Sequence, residues 1–153
     1  MSEMNCVTHL RSFISSVVAV LLVSGCSSDG EFPTAKTTGR VVCEGQPVPH
    51  VMVFFEPLQT CKKALVGKQG FANAEANGTF AISTYGTKDG AVIGKHRVRV
   101  GPPRGGEPPG FKCACVLNSE VDVTEVEVKK GQKNDFELVL KKKTGKERPP
   151  LHD

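Results

Sequence analysis

The stretch Ala76-Asn77-Gly78-Thr79-Phe80-Ala81-Ile82-Ser83-Thr84-Tyr85 decides the fold class. Asn77-Gly78 is a strong hairpin signal, because Asn and Gly both accept positive φ. The residues after it alternate, with Phe80, Ile82 and Thr84 on one face and the intervening residues on the other. Alternation with a period of two predicts a half-buried β-strand.

Six further strand-like runs, separated by turn residues, flank this one in the sequence. The run 51–55 is apolar on both faces and is predicted to be a central strand. In the run 95–100, His96, Val98 and Val100 are predicted to point inward. The complete set of predicted strands is 39–43, 51–55, 71–75, 79–85, 95–100, 121–128 and 136–140. Seven short strands without a helical period indicate an all-β fold, an antiparallel β-sandwich.

One of these runs contains a phase slip. Val121 and Val123 fall on one face of an ideal strand, whereas Val126 and Val128 fall on the other. A β-bulge near Thr124-Glu125 would bring all four valines to one side.

The N-terminal segment has the pattern of a secretory signal peptide. Arg11 precedes an apolar run from Phe13 to Val23, which is 11 residues long, and a membrane-spanning helix needs about 20. Small residues follow the run. We therefore predict a signal-peptide helix over 1–25; an ordinary cleavage site at Val23-Ser24-Gly25 is the alternative to lipoprotein processing.

The segment Leu22-Val23-Ser24-Gly25-Cys26 resembles the lipobox of bacterial lipoproteins. This resemblance implies cleavage before Cys26, a diacylglyceryl thioether on its sulfur, and a protein held by lipid at the cell membrane or outer membrane, facing the periplasm or the exterior. The mature chain would hold 128 residues (153 − 25), enough for one domain. We predict a flexible tether at 26–36, the β-domain at 37–141 and a basic disordered tail at 142–153.

Charge and composition exclude one class of partner. Residues 129–153 carry eight basic and four acidic side chains, whereas 26–128 carry eleven of each. The basic excess therefore belongs to the C-terminal part, which either approaches anionic headgroups or stays solvated. The chain has no Trp and one Tyr, so a stacking platform for nucleic acid is not expected.

Four cysteines are candidates for disulfides once Cys6 leaves with the signal peptide and Cys26 carries lipid. They are Cys43, Cys61, Cys113 and Cys115. An even set outside the cytoplasm favours disulfides, and a Cys113–Cys115 bond would strain a very small ring, so each of these two is predicted to pair with Cys43 or Cys61. A four-thiolate zinc site and unpaired buried thiols are the alternatives.

Several motifs resemble the carboxypeptidase regulatory-like domains. They are Gly39-Arg40-Val41, Gly45-Gln46-Pro47-Val48, Val51-Met52-Val53-Phe54-Phe55 and Asn77-Gly78-Thr79-Phe80. The resemblance covers about Thr37 to Leu140 and implies a transthyretin-like Greek-key fold, in a variant common among small bacterial lipoproteins. The C-terminal Tyr-Arg-Gly-Ser of the enzymatic branch of that fold is missing.

These observations predict a non-catalytic module for binding an envelope protein or glycan, or for a structural role, with no cofactor and no metal. The alternative is a metal-binding or enzymatic module that uses Cys113, Cys115 and His96. The outward row Lys95, Arg97 and Arg99 either faces an acidic polysaccharide or is a solvated sheet face.

Overall fold

The computed structural model describes residues 32–58 and 65–146, and within these ranges the chain forms ten β-strands and no helix. All seven predicted strands have a counterpart, and the three additional strands are two-residue pieces. The strands are β1 (Thr34–Ala35), β2 (Thr37–Cys43), β3 (Gln46–Pro47), β4 (Met52–Pro57), β5 (Gly70–Asn73), β6 (Thr79–Ala81), β7 (Ala91–Val92), β8 (Gly94–Gly101), β9 (Asn118–Val128) and β10 (Asn134–Leu140).

Two four-stranded sheets and one two-stranded sheet make up the fold. In the first sheet β2 pairs with β10 along one edge, and its other edge pairs with β6 at 38–40 and with β3 at 42–43. The second sheet has the order β5-β4-β8-β9. The small sheet joins β1 to β7. The run predicted to be central, now β4, lies between β5 and β8.

One strand pair differs from the predicted antiparallel arrangement. β10 runs parallel to β2, with Asn134 opposite Thr37 and Leu140 opposite Cys43. The turn 129–133 reverses the chain between β9 of one sheet and β10 of the other, so the two strands do not form a hairpin. β10 therefore joins the first sheet at an edge where β2 runs in its own direction. The expectation of antiparallel pairing throughout is wrong for this pair.

The two large sheets bury their inner faces in one apolar cluster. Phe55, Ile82 and Leu138 are its largest fully buried side chains. The predicted inward row of β8 is confirmed, because His96, Val98 and Val100 are each 0% exposed. Burying a side chain of the Val or Phe class contributes roughly 1.5–3 kcal/mol, so this cluster is the main source of stability.

The phase slip in β9 is resolved by a bulge, as predicted, one residue earlier than expected. Val98 pairs with Thr124 and Arg99 pairs with Asp122, which leaves Val123 as the extra residue. A second irregularity separates the Arg99 pair from the pairing of Val100 with Asn118. Val123 and Val126 consequently both pack against the core cluster.

The tight turn predicted at Asn77-Gly78 is present, but it joins β5 of one sheet to β6 of the other, so these two strands are not a regular hairpin pair. Gly78 N donates to Glu75 O at 2.9 Å, and Glu75 N donates to Thr79 O at 2.8 Å. Only Gly78 takes positive φ, at 76°, which is the geometry of a three-residue loop closed by a left-handed glycine. Asn77 instead accepts hydrogen bonds from Thr79 N and Oγ1.

The domain has two ends, which we name the base and the far end. At the base, β2, β8 and β10 begin and β9 ends; at the far end are the Glu44-Gly45 turn and the segment 102–117. The chain enters at the base, where Phe32 N donates to Tyr85 Oη at 3.1 Å and Ile93 N donates to Pro33 O at 3.0 Å. Strand pairing thus begins at Thr34, inside the segment 26–36 assigned to the tether.

Several sequence-based assignments fall outside the described residues. The predicted signal peptide at 1–25, the lipidation residue Cys26 and the disulfide candidate Cys61 are among them. No helix in the described ranges combines the length and the apolar character needed to cross a membrane.

Candidate functional site

A groove of about 540 Å³ lies at the far end of the domain, where the two large sheets open apart. Ligand sites commonly have volumes between about 300 and 1,000 Å³. Aliphatic side chains form its floor and walls: Val100 from β8, Val121 and Val123 from β9, Leu140 from β10, and Val116 from the segment before β9. Asn118, Glu120, Asp122, Lys141 and Lys146 complete the lining. The groove is therefore an apolar cleft with a charged rim.

The β9 bulge creates one wall of the groove. Arg99 and its partner Asp122 lie on the outer face of the sheet, so the flanking Val121 and Val123 turn towards the opening between the sheets. Val121 remains 50% exposed, which makes it one of the most exposed large apolar side chains in the described part of the chain. Val121 therefore supplies the most exposed part of the aliphatic lining.

A disulfide fixes the wall that Val116 forms. Cys43 at the end of β2 is bonded to Cys115, and their Cα atoms are 5.9 Å apart. Val116 N donates to Lys141 O at 2.8 Å and Lys143 N donates to Ala114 O at 2.9 Å. The segment before β9 is consequently tied to β2 covalently and to the residues after β10 by backbone hydrogen bonds. Lys142 and Lys143, assigned from the sequence to the tail, take part in this arrangement.

An ion-pair cluster supports the rim from the outer face of the sheet. Glu56 lies 3.1 Å from both Arg97 Nη2 and Arg99 Nη2, and Arg99 Nε donates to Asp122 Oδ1 at 2.9 Å. The hydrogen bond that Arg99 donates to Asp122, with a smaller contribution from the charge of Glu56, raises the pKa of Arg99. These contacts hold Asp122 in one position at the groove. They also pair Arg97 and Arg99, two of the three basic residues in the outward row of β8, with carboxylates.

The disulfide candidates are resolved in part. The Cys43–Cys115 bond is one of the pairings that the sequence left open, and it is present. Cys113 is a half-buried free thiol that packs against the core cluster, so the prediction that Cys113 pairs with Cys43 or Cys61 is wrong. Cys61 lies outside the described residues, so its state stays a prediction.

His96 lies in the core at the base of the domain. Its ring centroid is 5.8 Å from that of Phe55, and its Nδ1 lies 3.0 Å from Gly94 O. Its Nε2 is buried and has no hydrogen-bond partner among the residues that the structure describes. Burial lowers the pKa of His96, and the hydrogen bond with Gly94 O opposes that shift. Burial therefore favours the neutral form of the ring, and a hydrogen bond to the Gly94 carbonyl requires the proton on Nδ1.

The structure does not bring Cys113, Cys115 and His96 together. Cys115 bridges to Lys142, just beyond the end of β10, whereas His96 pairs with Val126 near the turn that leads into β10. The Cys115 sulfur is engaged in the disulfide. Among residues 32–58 and 65–146, no group of three or more His, Cys, Asp or Glu side chains could hold a metal ion.

Sequence reasoning missed the groove, although one signal pointed to it. The phase slip in 121–128 showed that Val121 and Val123 had a different environment from Val126 and Val128. The remaining lining residues come from three separate parts of the chain, and no local pattern connects Val116, Leu140 and Lys146.

Comparisons with protein-family models, with curated proteins and with solved structures found no match to this chain.

Proposed function

We propose that this protein is an envelope lipoprotein whose β-domain binds an extended segment of another envelope protein. In this proposal lipid on Cys26 anchors the chain, and the domain is a Greek-key sandwich of the transthyretin-like, carboxypeptidase regulatory-like type. The aliphatic groove at the far end is the observation that carries the binding role. The two opposed sheets around one core support the fold assignment.

The groove suits an extended peptide because it lies beside the edge strand β9. Among the strands that the structure describes, β9 pairs only with β8, and in this proposal its other edge offers backbone donors and acceptors to an added strand. Strand addition at a sheet edge supplies main-chain hydrogen bonds, and neighbouring pockets supply side-chain specificity. Val121, which is 50% exposed, and the half-buried Val123 would contact aliphatic side chains of such a peptide.

The same lining favours a peptide over a glycan. Sugar rings commonly stack on aromatic side chains, and the residues that line this groove are aliphatic, amide or charged. The basic row that could have faced an acidic polysaccharide is largely neutralised, because Glu56 and Asp122 pair with Arg97 and Arg99.

Site-specific photo-cross-linking in intact cells tests the binding role. A photoreactive amino acid at Val121 is expected to give a discrete cross-linked product, and mass spectrometry should identify it as an envelope protein joined through one extended segment. Val139 is the matched control, since it is 59% exposed and lies outside the groove. A synthetic peptide with the sequence of that segment should compete with the product. Equal yields of this cross-linked product from Val121 and Val139, or no product from Val121, would contradict the proposal.

The anchor is tested separately by intact-mass measurement of the membrane-extracted protein. We expect a mature chain that begins at Cys26 and carries a diacylglyceryl group, and we expect processing to fail in Cys26→Ala. An unlipidated mature chain that begins elsewhere would remove the anchor from the proposal without affecting the groove.

A further inference from the structure

We propose that the base of the domain is a membrane-contact surface, with a cluster of lysines lying against anionic lipid headgroups. This inference rests on the proposed anchor at Cys26 and specifies which face of the domain meets the bilayer. We call the cluster the base lysines; it consists of Lys36, Lys68, Lys88, Lys129, Lys130 and Lys133, all of which are exposed.

Hydrogen bonds and strand order place these lysines at one end of the domain. Lys36 immediately precedes β2, and its carbonyl accepts a hydrogen bond from Asn134 Nδ2 at 3.3 Å. Lys129, Lys130 and Lys133 belong to the turn between β9 and β10. Lys88 N donates to Ser83 Oγ, and Lys68 N donates to Tyr85 Oη. Both lysines therefore lie beside the segment that leaves β6 at the base.

Carboxylates neutralise only part of this cluster. Glu127 pairs with Lys129 at 3.1 Å and Asp135 pairs with Lys133 at 3.2 Å. The Asp89 carboxylate accepts hydrogen bonds from Thr84 N and Tyr85 N. Among the described residues, Lys36, Lys88 and Lys130 have no acidic partner, and the Lys68 ammonium lies 5.5 Å from the centroid of the Tyr85 ring. A net positive surface therefore remains.

The anchor brings this surface to the membrane. Phe32, the first described residue, follows Cys26 by six positions, and six extended residues span at most about 20 Å. Phe32 is bonded to Tyr85 at the base, so the base is the part of the domain closest to the lipid. Each basic residue near an anionic surface is attracted to it, within a distance set by salt screening.

This orientation directs the groove away from the bilayer. The groove is lined by residues at the end of β8, the start of β9 and the end of β10, which is the opposite end from the base lysines. Strands of seven or eight residues separate the two ends by roughly 20 Å. A partner peptide would therefore reach the groove from the aqueous side.

Amine labelling of the lipidated full-length protein in vesicles tests the proposal. The protein is reconstituted in phosphatidylcholine, with or without about 30% phosphatidylglycerol, which provides the anionic charge. Labelling by an acetylating reagent is then quantified for each lysine by mass spectrometry. A surface potential of roughly −30 mV raises the local proton concentration about threefold and lowers the reactive neutral amine by the same factor. We expect Lys36, Lys88 and Lys130 to react at least about threefold more slowly on anionic vesicles. Lys112 at the far end should react at the same rate on both vesicle types.

Salt and charge reversal provide the controls. About 0.5 M NaCl shortens the Debye length to about 4 Å and should restore labelling. The variant Lys36→Glu/Lys88→Glu should lose the slower labelling of Lys130. The matched variant Arg104→Glu/Lys112→Glu, which changes the charge equally at the far end, should retain it.

Two different failures can be distinguished in the same sample. If the protein carries lipid on Cys26 and the base lysines react equally on both vesicle types, the membrane-contact surface is refuted and the anchor stands. If the protein carries no lipid, the anchor fails and this inference fails with it.

Discussion

Cys43 and Cys115, which are 72 residues apart in the sequence, are joined by a disulfide that connects the end of β2 to the segment walling the groove. A cross-link that closes a loop of this length limits the freedom of the unfolded chain, and the chain-entropy treatment gives about 4 kcal/mol. The variant Cys43→Ala/Cys115→Ala should therefore lose about 2–5 kcal/mol of unfolding free energy. Guanidinium denaturation of the lipoprotein in detergent measures this loss.

The control for that variant is Cys113→Ala. Cys113 is a half-buried free thiol, so its replacement removes one sulfur contact and closes no loop. We expect a loss of less than about 1.5 kcal/mol. A double variant as stable as the wild type would show that the disulfide does not contribute to the stability of the fold.

The strands were predictable because their signals are local. His96, Val98 and Val100 are spaced at the period of a strand, and burial of one face follows directly from that spacing. The parallel pairing of β10 with β2 was not predictable in this way, since it depends on which sheet β10 joins after the 129–133 turn. The groove was not predictable from local signals either, because Val116, Val121 and Leu140 meet only through tertiary packing and the disulfide.

His96 makes the stability of the domain dependent on pH. Burial lowers its pKa below the ordinary value of 6.5 in the folded state, so the unfolded chain binds a proton at a higher pH than the folded one. The contribution of neutral, buried His96 to the unfolding free energy is fully present above pH 6.5 and is lost as the pH falls below 6.5. The reason is that stability rises with pH wherever the unfolded state binds more protons. We expect the unfolding free energy to decrease between pH 7.5 and 5.5.

The variant His96→Leu should abolish this slope, whatever its effect on stability at pH 7.5. Asp89 and Asp135 also have lowered pKa values. Burial raises the pKa of Asp89, but the backbone hydrogen bonds from Thr84 and Tyr85 together outweigh it, and hydrogen bonds from Thr38 and Lys133 lower the pKa of Asp135. Their contributions are lost only as the pH falls through the acidic range, so they do not account for a change near pH 6. An unchanged slope in His96→Leu would exclude His96 as its origin.

Gly39 is required by a close approach of neighbouring groups. A Cβ at this position would collide with the carbonyl oxygen of Phe136 and lie 2.5 Å from Phe80 Cζ. Because β2 is held between β10 and β6, the backbone cannot move away without breaking strand pairs. We expect Gly39→Ala to destabilise the domain by about 2–3 kcal/mol. In Gly86→Ala the new Cβ would be 3.9 Å from Asp89, so this control should change stability by less than about 0.5 kcal/mol. Similar stabilities for the two variants would contradict the assigned role of Gly39.

Tyr85 attaches the entering chain to the base through its hydroxyl. That oxygen accepts hydrogen bonds from Phe32 N at 3.1 Å and from Lys68 N at 3.4 Å. In Tyr85→Phe both donors lose their acceptor while the ring remains, so we expect a cost of about 1 kcal/mol. The informative measurement is hydrogen exchange of the Phe32 amide, which should accelerate.

The matched control is Ser83→Ala, which removes the hydroxyl that accepts a hydrogen bond from Lys88 N at 2.8 Å and leaves the Tyr85 contacts intact. The Phe32 amide should exchange at the wild-type rate in this control. Because the proposed membrane contact depends on a short, fixed connection between Phe32 and the base, Tyr85→Phe should also weaken the protection of the base lysines on anionic vesicles. Unchanged exchange of Phe32 in Tyr85→Phe would mean that the strand pair β1–β7 alone holds the entry segment in place.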